Sequence, residues 1–69
     1  MEYQLYEASN PGQSVAKAQL ADDFAAERWA REWASGHATA DNYRIEGAGG
    51  GFAARLFKTV AGQWYIMRQ

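Results

Sequence analysis

The chain contains no cysteine and only one histidine, His37, in 69 residues. A chain this short has room for one small core, and small domains often depend on disulfides or a bound metal to supplement that core. This sequence can form neither a disulfide framework nor a Cys/His zinc site. Its fold must therefore rest on packing or on self-association. We expect a single domain spanning residues 1–69, with no metal and no cofactor, that exists as a monomer or a weak homodimer.

The charged residues nearly cancel. Seven basic and eight acidic side chains give a net charge of −1, so nothing attracts the whole molecule to nucleic acid or to an anionic membrane. The N-terminal segment Met1–Leu5 lacks the basic and apolar regions of a signal peptide, and no apolar run approaches the ~20 residues of a membrane span. We therefore expect a cytoplasmic protein without a membrane partner.

Hydrophobic patterning predicts a strand followed by a long helix. Residues Glu2–Ala8 alternate between two sides, as in a strand, and the turn residues of Asn10-Pro11-Gly12 follow. The segment Ser14–Ser35 has no Gly or Pro, begins with a capping residue and is followed by Gly36, which predicts one helix over its whole length. Asp22 falls inside the apolar arc of that helix and, with Asp23, marks either a kink or a second helix start.

The second half of the chain predicts three further strands, at residues 43–46, 52–60 and 63–68. Ala61-Gly62 fits a two-residue turn between the last two strands. The element order is then β-α-β-β-β. We expect an α+β fold of two layers, in which one helix packs on a small antiparallel-rich β-sheet.

A hairpin with this two-residue turn would place two basic and two aromatic residues on one face, together with Ile66. These four residues are candidates for partner binding: Arg55, Phe57, Trp64 and Arg68. Tyr65 and Met67 would lie on the opposite face. A single helix covers only one face of a sheet, so aromatic and basic side chains should remain exposed on the other. A second candidate surface is the acidic helix edge formed by Asp22, Asp23 and Glu27.

The residue pattern argues against catalysis. The run Gly47–Gly51 invites a nucleotide-binding interpretation, but Phe52 stands where a dinucleotide fingerprint requires glycine, and no helix is predicted next. No acidic residue is spaced to orient His37 as a base. The chain nevertheless carries ten aromatic residues (three Trp, four Tyr and three Phe). Because large rigid side chains supply contact area at low entropic cost, this surplus predicts a binding protein and not an enzyme.

A strand at Glu2–Ala8, a helix at Ser14–Ser35 and a terminal hairpin at Phe52–Arg68, in a compact chain without cysteine, resemble the small proteins that phages and mobile elements encode against host defence. Anti-CRISPR proteins are the group in question. The resemblance spans the whole chain in size and element order, and it transfers no residue because that group shares no motif. It implies an inhibitor in the host cytoplasm that docks on a subunit of a CRISPR-Cas effector and blocks DNA access or nuclease recruitment.

Two docking modes follow from the candidate residues. The acidic edge of Asp22, Asp23 and Glu27 could imitate phosphate charge and meet a lysine-lined DNA channel, or the aromatic face could bury Trp64 and Phe57 on an effector subunit. The small net charge favours local docking, with the acidic edge steering the encounter.

Two other functions compete with protein inhibition. Four basic residues interleave with aromatic residues on the predicted strands, which is how several single-strand nucleic-acid binders stack bases. The residues concerned are Arg44, Arg55, Lys58 and Arg68, with Tyr43, Phe57, Trp64 and Tyr65. The alternative function is therefore a small accessory protein that binds single-stranded nucleic acid. A third possibility is a structural subunit that pairs through a free strand edge.

Overall fold

The computed structural model describes all 69 residues and contains one helix and five strands. In chain order the elements are β1 (Glu2–Glu7), β2 (Ser14–Gln19), α1 (Asp23–His37), β3 (Asn42–Gly47), β4 (Ala53–Lys58) and β5 (Trp64–Arg68). The strands form one antiparallel sheet in the order β2-β1-β3-β4-β5, and α1 packs across one face of it. The predicted two-layer α+β fold, with one helix on a small antiparallel sheet, is confirmed.

The strand β2 lies where the helix was predicted to begin. The predicted helix over Ser14–Ser35 is therefore wrong in its first part, and the predicted β-α-β-β-β order lacks this one strand. Ala16 and Ala18 are half-buried while Lys17 between them is exposed, a period of two instead of 3.6. Residue types in this segment favour a helix, but backbone pairing with β1 determines its conformation.

The helix α1 begins at a capping aspartate. Asp22 has an extended backbone, and its Oδ1 accepts a hydrogen bond from the backbone N–H of Ala25 at 2.9 Å. Of the two interpretations of Asp22, the helix start is therefore correct and the kink is not. At the other end the helix continues through Gly36 to His37, where the N–H of Ala38 donates to the carbonyl of Ala34 at 3.1 Å. The predicted end at Ser35 was two residues early.

The core lies between α1 and the covered face of the sheet. The helix contributes three small side chains spaced four residues apart, Ala26, Ala30 and Ala34, which let it approach the sheet closely. The sheet side and the β3–β4 connection contribute the larger groups: Tyr3, Leu5, Tyr43, Ile45, Phe52, Ala54 and Leu56. Trp29 and Trp33 of the helix are half-buried against this core.

Five residues separate β4 from β5, but Thr59 and Gln63 still pair, so the hairpin loop consists of the three residues Val60, Ala61 and Gly62 and the predicted two-residue turn is wrong. The N–H of Gly62 donates to the carbonyl of Thr59, and the N–H of Thr59 donates to the carbonyl of Gln63, both at 2.9 Å. Gly62 has a φ of +85°, the conformation that follows a type I turn in three-residue hairpin loops.

The extra loop residue shifts the β4–β5 register by one. Phe57 pairs with Tyr65 and Leu56 with Ile66, whereas a two-residue turn would pair Phe57 with Ile66. Because side chains alternate between the two faces of a strand, a shift of one residue exchanges the faces of all β5 side chains relative to β4. The composition of both sheet faces therefore differs from the prediction.

Candidate binding surface on the open face of the sheet

The face of the sheet opposite α1 is not covered by any other element, and we call it the open face. Three neighbouring strands place aromatic, basic and thioether side chains side by side on it. Arg44 of β3 pairs with Arg55 of β4, which pairs with Met67 of β5, and Phe57 pairs with Tyr65 in the next row. We call this set the open-face patch: Arg44, Arg55, Phe57, Tyr65 and Met67.

The apolar part of the open-face patch is both ordered and accessible. The rings of Phe57 and Tyr65 stack with their centroids 6.2 Å apart and an interplanar angle of 29°. Tyr65 is 49% exposed and Met67 is 56% exposed. The Tyr65 hydroxyl donates a hydrogen bond to Oε1 of Gln63 at 3.0 Å, which orients the ring. Large side chains held in place by strand backbone lose little entropy when a partner covers them.

The two arginines of the patch differ in their ionic partners. The Arg44 Nε atom lies 2.7 Å from Glu46 Oε2, a pair formed on one strand. Arg55 has no carboxylate within 4 Å and its side chain is exposed. Because Arg55 lies directly opposite Arg44, its charge is repelled by its neighbour and not offset by an acid of the chain. Arg55 is thus the cation of the open-face patch that has no acidic partner within the chain.

The structure separates the four hairpin residues that were predicted to share a face. Arg55 and Phe57 lie on the open face, whereas Trp64 and Arg68 lie on the covered face beside α1. The prediction that these four residues form one surface is therefore wrong, because the three-residue loop shifts the register of β5 by one residue. Tyr65 and Met67 replace Trp64 and Arg68 on the open face. The alternation of β5 with a period of two shows that Tyr65 and Met67 share one face. Which face of the sheet this is depends on the register between β4 and β5.

Arg68 joins the last strand to the helix. Its Nε atom lies 2.6 Å from Glu27 Oε2, and its guanidinium carbon lies 5.2 Å from the ring centroid of Phe24 and 5.4 Å from that of Phe52. The hydrogen bond to Glu27 raises the pKa of Arg68 above its ordinary value. Two residues predicted from the sequence to belong to different binding surfaces, Glu27 and Arg68, therefore contact each other within the fold.

The remaining residues of the predicted acidic edge also have intramolecular partners. Asp22 caps α1, as described above, and Asp23 Oδ1 accepts a hydrogen bond from the Tyr3 hydroxyl at 2.7 Å. The hydrogen bond to Asp23 and burial together raise the pKa of Tyr3 to about 12. Asp22 thus stabilises the first turn of α1, while Asp23 and Glu27 join the helix to the sheet.

Trp64 lines a pocket of about 350 Å³ between the C-terminal end of α1 and the β4–β5 loop. Its ring lies 5.9 Å from that of Tyr43, centroid to centroid, at an angle of 57°. The Tyr43 hydroxyl in turn accepts hydrogen bonds from the backbone N–H groups of Thr39 at 2.9 Å and Ala40 at 3.2 Å. These contacts fix one wall of the pocket on the covered side of the sheet.

The residues considered for other chemistry occupy structural positions. His37 stacks on Trp33 with ring centroids 5.6 Å apart, and its Nδ1 lies 3.2 Å from the Trp33 carbonyl oxygen at the end of the helix. The glycine run connects β3 to β4, with positive φ at Gly49 and Gly50. No three His, Cys, Asp or Glu side chains come close enough together to hold a metal ion.

Comparison with known proteins gives no relative: no protein-family model, no curated protein and no solved structure matches the chain. The one helix is neither long nor apolar enough to span a membrane.

Proposed function

We propose that this chain is a non-enzymatic binding protein that docks on another protein through the open-face patch. The observation that carries the proposal is the stacked pair Phe57–Tyr65 beside exposed Met67 and the unpaired cation Arg55. Aromatic residues, methionine and arginine are the side chains enriched at the centres of protein interfaces. Acidic Glu46 on the same face and the net charge of −1 favour a protein partner over a polyanion.

The target that we propose is a subunit of a CRISPR-Cas effector, which makes the protein an inhibitor of the anti-CRISPR type. Support for this target comes from the resemblance in chain length and element content to the small proteins that phages encode against host defence. Docking would block DNA access or nuclease recruitment. Because Asp22, Asp23 and Glu27 are engaged within the fold, we assign the binding energy to the open face and only long-range steering to these carboxylates.

Cleavage of target DNA by purified effectors of the different CRISPR-Cas types, with and without the protein, tests this function. We expect inhibition of one type, and Tyr65→Ala should weaken it by about tenfold, since a central aromatic anchor is lost. Arg31→Ala, a surface change on α1, is the matched control and should inhibit like the original chain. If no effector is inhibited, the proposed target is wrong. If Tyr65→Ala inhibits as well as Arg31→Ala, the docking surface lies elsewhere.

The alternative function, binding of single-stranded nucleic acid, is favoured by one arrangement on the same patch. Two aromatic rings, Phe57 and Tyr65, lie beside two adjacent arginines, Arg44 and Arg55, on one sheet face. Fluorescence anisotropy with labelled oligonucleotides at low and high salt distinguishes the two functions. Binding that weakens with salt and is lost in Phe57→Ala supports this alternative, whereas no binding at low salt excludes it.

A further inference from the structure

The pocket beside Trp64 lies on the covered side of the sheet, at the opposite side of the molecule from Tyr65 and Met67, and is separate from the open-face patch. The last turn of α1, the segment after it and the β4–β5 loop surround the pocket. The side chains that give it chemical character are Ser35, Thr39, Asp41, Lys58 and Trp64.

Two features place negative charge at this pocket. The carbonyl group of Ser35 receives no hydrogen bond from the chain, and it belongs to the C-terminal end of α1, which carries the negative end of the helix dipole. The carboxylate of Asp41 has no ion-pair or hydrogen-bond partner in the protein, because the only ion pairs are Arg44–Glu46 and Arg68–Glu27. A cation placed between these groups would be attracted by both.

The pocket also has an aromatic wall that is already in position. Trp64 is half-buried and rests against Tyr43. The hydroxyl of Tyr43 accepts hydrogen bonds from the backbone N–H groups of Thr39 and Ala40, which also line the pocket. An aromatic ring next to a carboxylate is the combination that binds a guanidinium group, which stacks on the ring and pairs with the acid.

Lys58 is the one cation at the pocket, and its position sets the charge balance. Its side chain is exposed and has no carboxylate within 4 Å. A lysine head group on a long exposed stem turns into solvent at little cost, whereas the end of α1 is fixed beside the pocket and the shorter side chain of Asp41 has less reach. When Lys58 turns away, Asp41 and the end of α1 leave a negative balance of charge for a ligand.

We propose that this pocket receives an arginine side chain of a protein partner, with the guanidinium group against Trp64 and paired with Asp41. The inference is independent of the open-face patch, because none of the pocket residues belongs to it.

Titration of the ¹⁵N-labelled protein with N-acetyl-arginine methylamide, followed by heteronuclear NMR, tests the proposal. We expect saturable shifts of the Trp64 indole N–H and of the Thr39 and Gly62 amides. The citrulline amide, an uncharged isostere, should bind at least about fivefold more weakly, because it lacks the charge that Asp41 and the helix end attract.

Three variants locate the charges that matter. Asp41→Asn should weaken arginine-amide binding by about fivefold, and Lys58→Met should tighten it by about threefold. Glu32→Gln, an exposed change elsewhere on α1, is the control and should leave binding unchanged. The proposal is overturned if citrulline amide binds equally well, if Asp41→Asn has no effect, or if the saturable shifts are absent or map to Phe57 and Tyr65.

Discussion

Tyr3 connects the sheet to the helix through one hydrogen bond. Its ring is fully buried beside Gly47, where a Cβ atom would come within 3.4 Å of the ring, and its hydroxyl donates to Asp23 at the start of α1. A neutral phenol is required for this contact, because a phenolate could not donate and would face a carboxylate. The contact therefore makes the fold sensitive to the ionisation of one tyrosine.

We predict that stability falls between pH 10 and 12 through Tyr3. Its pKa is raised to about 12 from an ordinary value of 10.0. The folded state therefore holds this proton over a range where the unfolded state has released it. The stability that the protonated Tyr3 hydroxyl contributes is fully present below pH 10 and is lost as the pH rises to 12. The free energy of unfolding, measured with urea at each pH across this range, should fall more steeply for the original chain than for Tyr3→Phe. Parallel declines would contradict the prediction.

Arg68 shows that the type of a residue does not by itself reveal whether it binds a partner or stabilises the fold. A basic residue near aromatic residues on a terminal strand is a reasonable candidate for partner binding, and the sequence offers no reason to prefer Glu27 as its contact. These residues are 41 positions apart, and only the packing of β5 beside α1 brings Nε and Oε2 to 2.6 Å. The sequence shows that aromatic and basic residues alternate here, but the role of Arg68 within the fold depends on that long-range contact.

At the scale of elements, the beginning of α1 depends on a local signal that the sequence contains. Asp22 is a preferred capping residue, and Ser14, another preferred capping residue, precedes a segment equally compatible with helix. The choice between the two starts was made by the pairing of β2 with β1, a contact between segments joined by the turn after Glu7. Local propensity is compatible with a helix start at Ser14 and at Asp22, so it does not decide between them.

We predict that Asp22→Ala lowers the free energy of unfolding by about 1 kcal/mol, the usual cost of losing a helix N-cap. The backbone N–H of Ala25 would then lose its acceptor. Asp22→Asn keeps an acceptor oxygen at the same position and serves as the control, with a loss of only a few tenths of a kcal/mol. Chemical denaturation followed by circular dichroism measures both. Equal losses in the two variants would show that the charge of Asp22 matters more than its cap.

We predict that Gly62→Ala destabilises the protein by roughly 1–2 kcal/mol, because an alanine at this residue must adopt a left-handed backbone conformation. The cost arises from φ (+85°) alone, since no other atom lies within 4 Å of the added Cβ. Gly12→Ala is the matched control: its Cβ also enters open space and its φ is not in that region. Thermal unfolding compares them. A similar loss in both variants would contradict the assigned loop conformation.

At the scale of the whole molecule, neighbouring residues of β4 lie on opposite faces of the sheet and have different roles. Leu56 is fully buried beneath α1, and Phe57 points to the open face, where it stacks on Tyr65. One strand therefore supplies both the core and the proposed binding surface. Stability and binding should respond to different residues of the same strand.

We predict that Leu56→Ala costs about 2–5 kcal/mol of stability, as expected for a buried leucine. Phe57→Ala should cost about 1 kcal/mol or less, the contribution of a cross-strand pair on an accessible face. Urea unfolding measures both variants, and loss of cooperative folding in Leu56→Ala counts as the larger effect. A greater loss in Phe57→Ala than in Leu56→Ala would mean that the two faces are reversed.

The sequence by itself determined that the fold must depend on packing or self-association and not on disulfides or a Cys/His zinc site, because no cysteine and only one histidine are present. It also determined the two-layer class and the approximate positions of four strands, since alternation with a period of two is a local property of the chain. The loop between β3 and β4 was predictable for a similar reason, from its glycines.

Only the tertiary structure decided which residues of each strand face the helix. The conformation of residues 14–19 depends on pairing with β1, and the register of β5 depends on whether its loop holds two residues or three. A strand and a helix can share the same residue types, and a change of one loop residue exchanges the two faces of a strand. The candidate surface therefore became Tyr65 and Met67 with Arg55 and Phe57, while Trp64 and Arg68 went to the covered side.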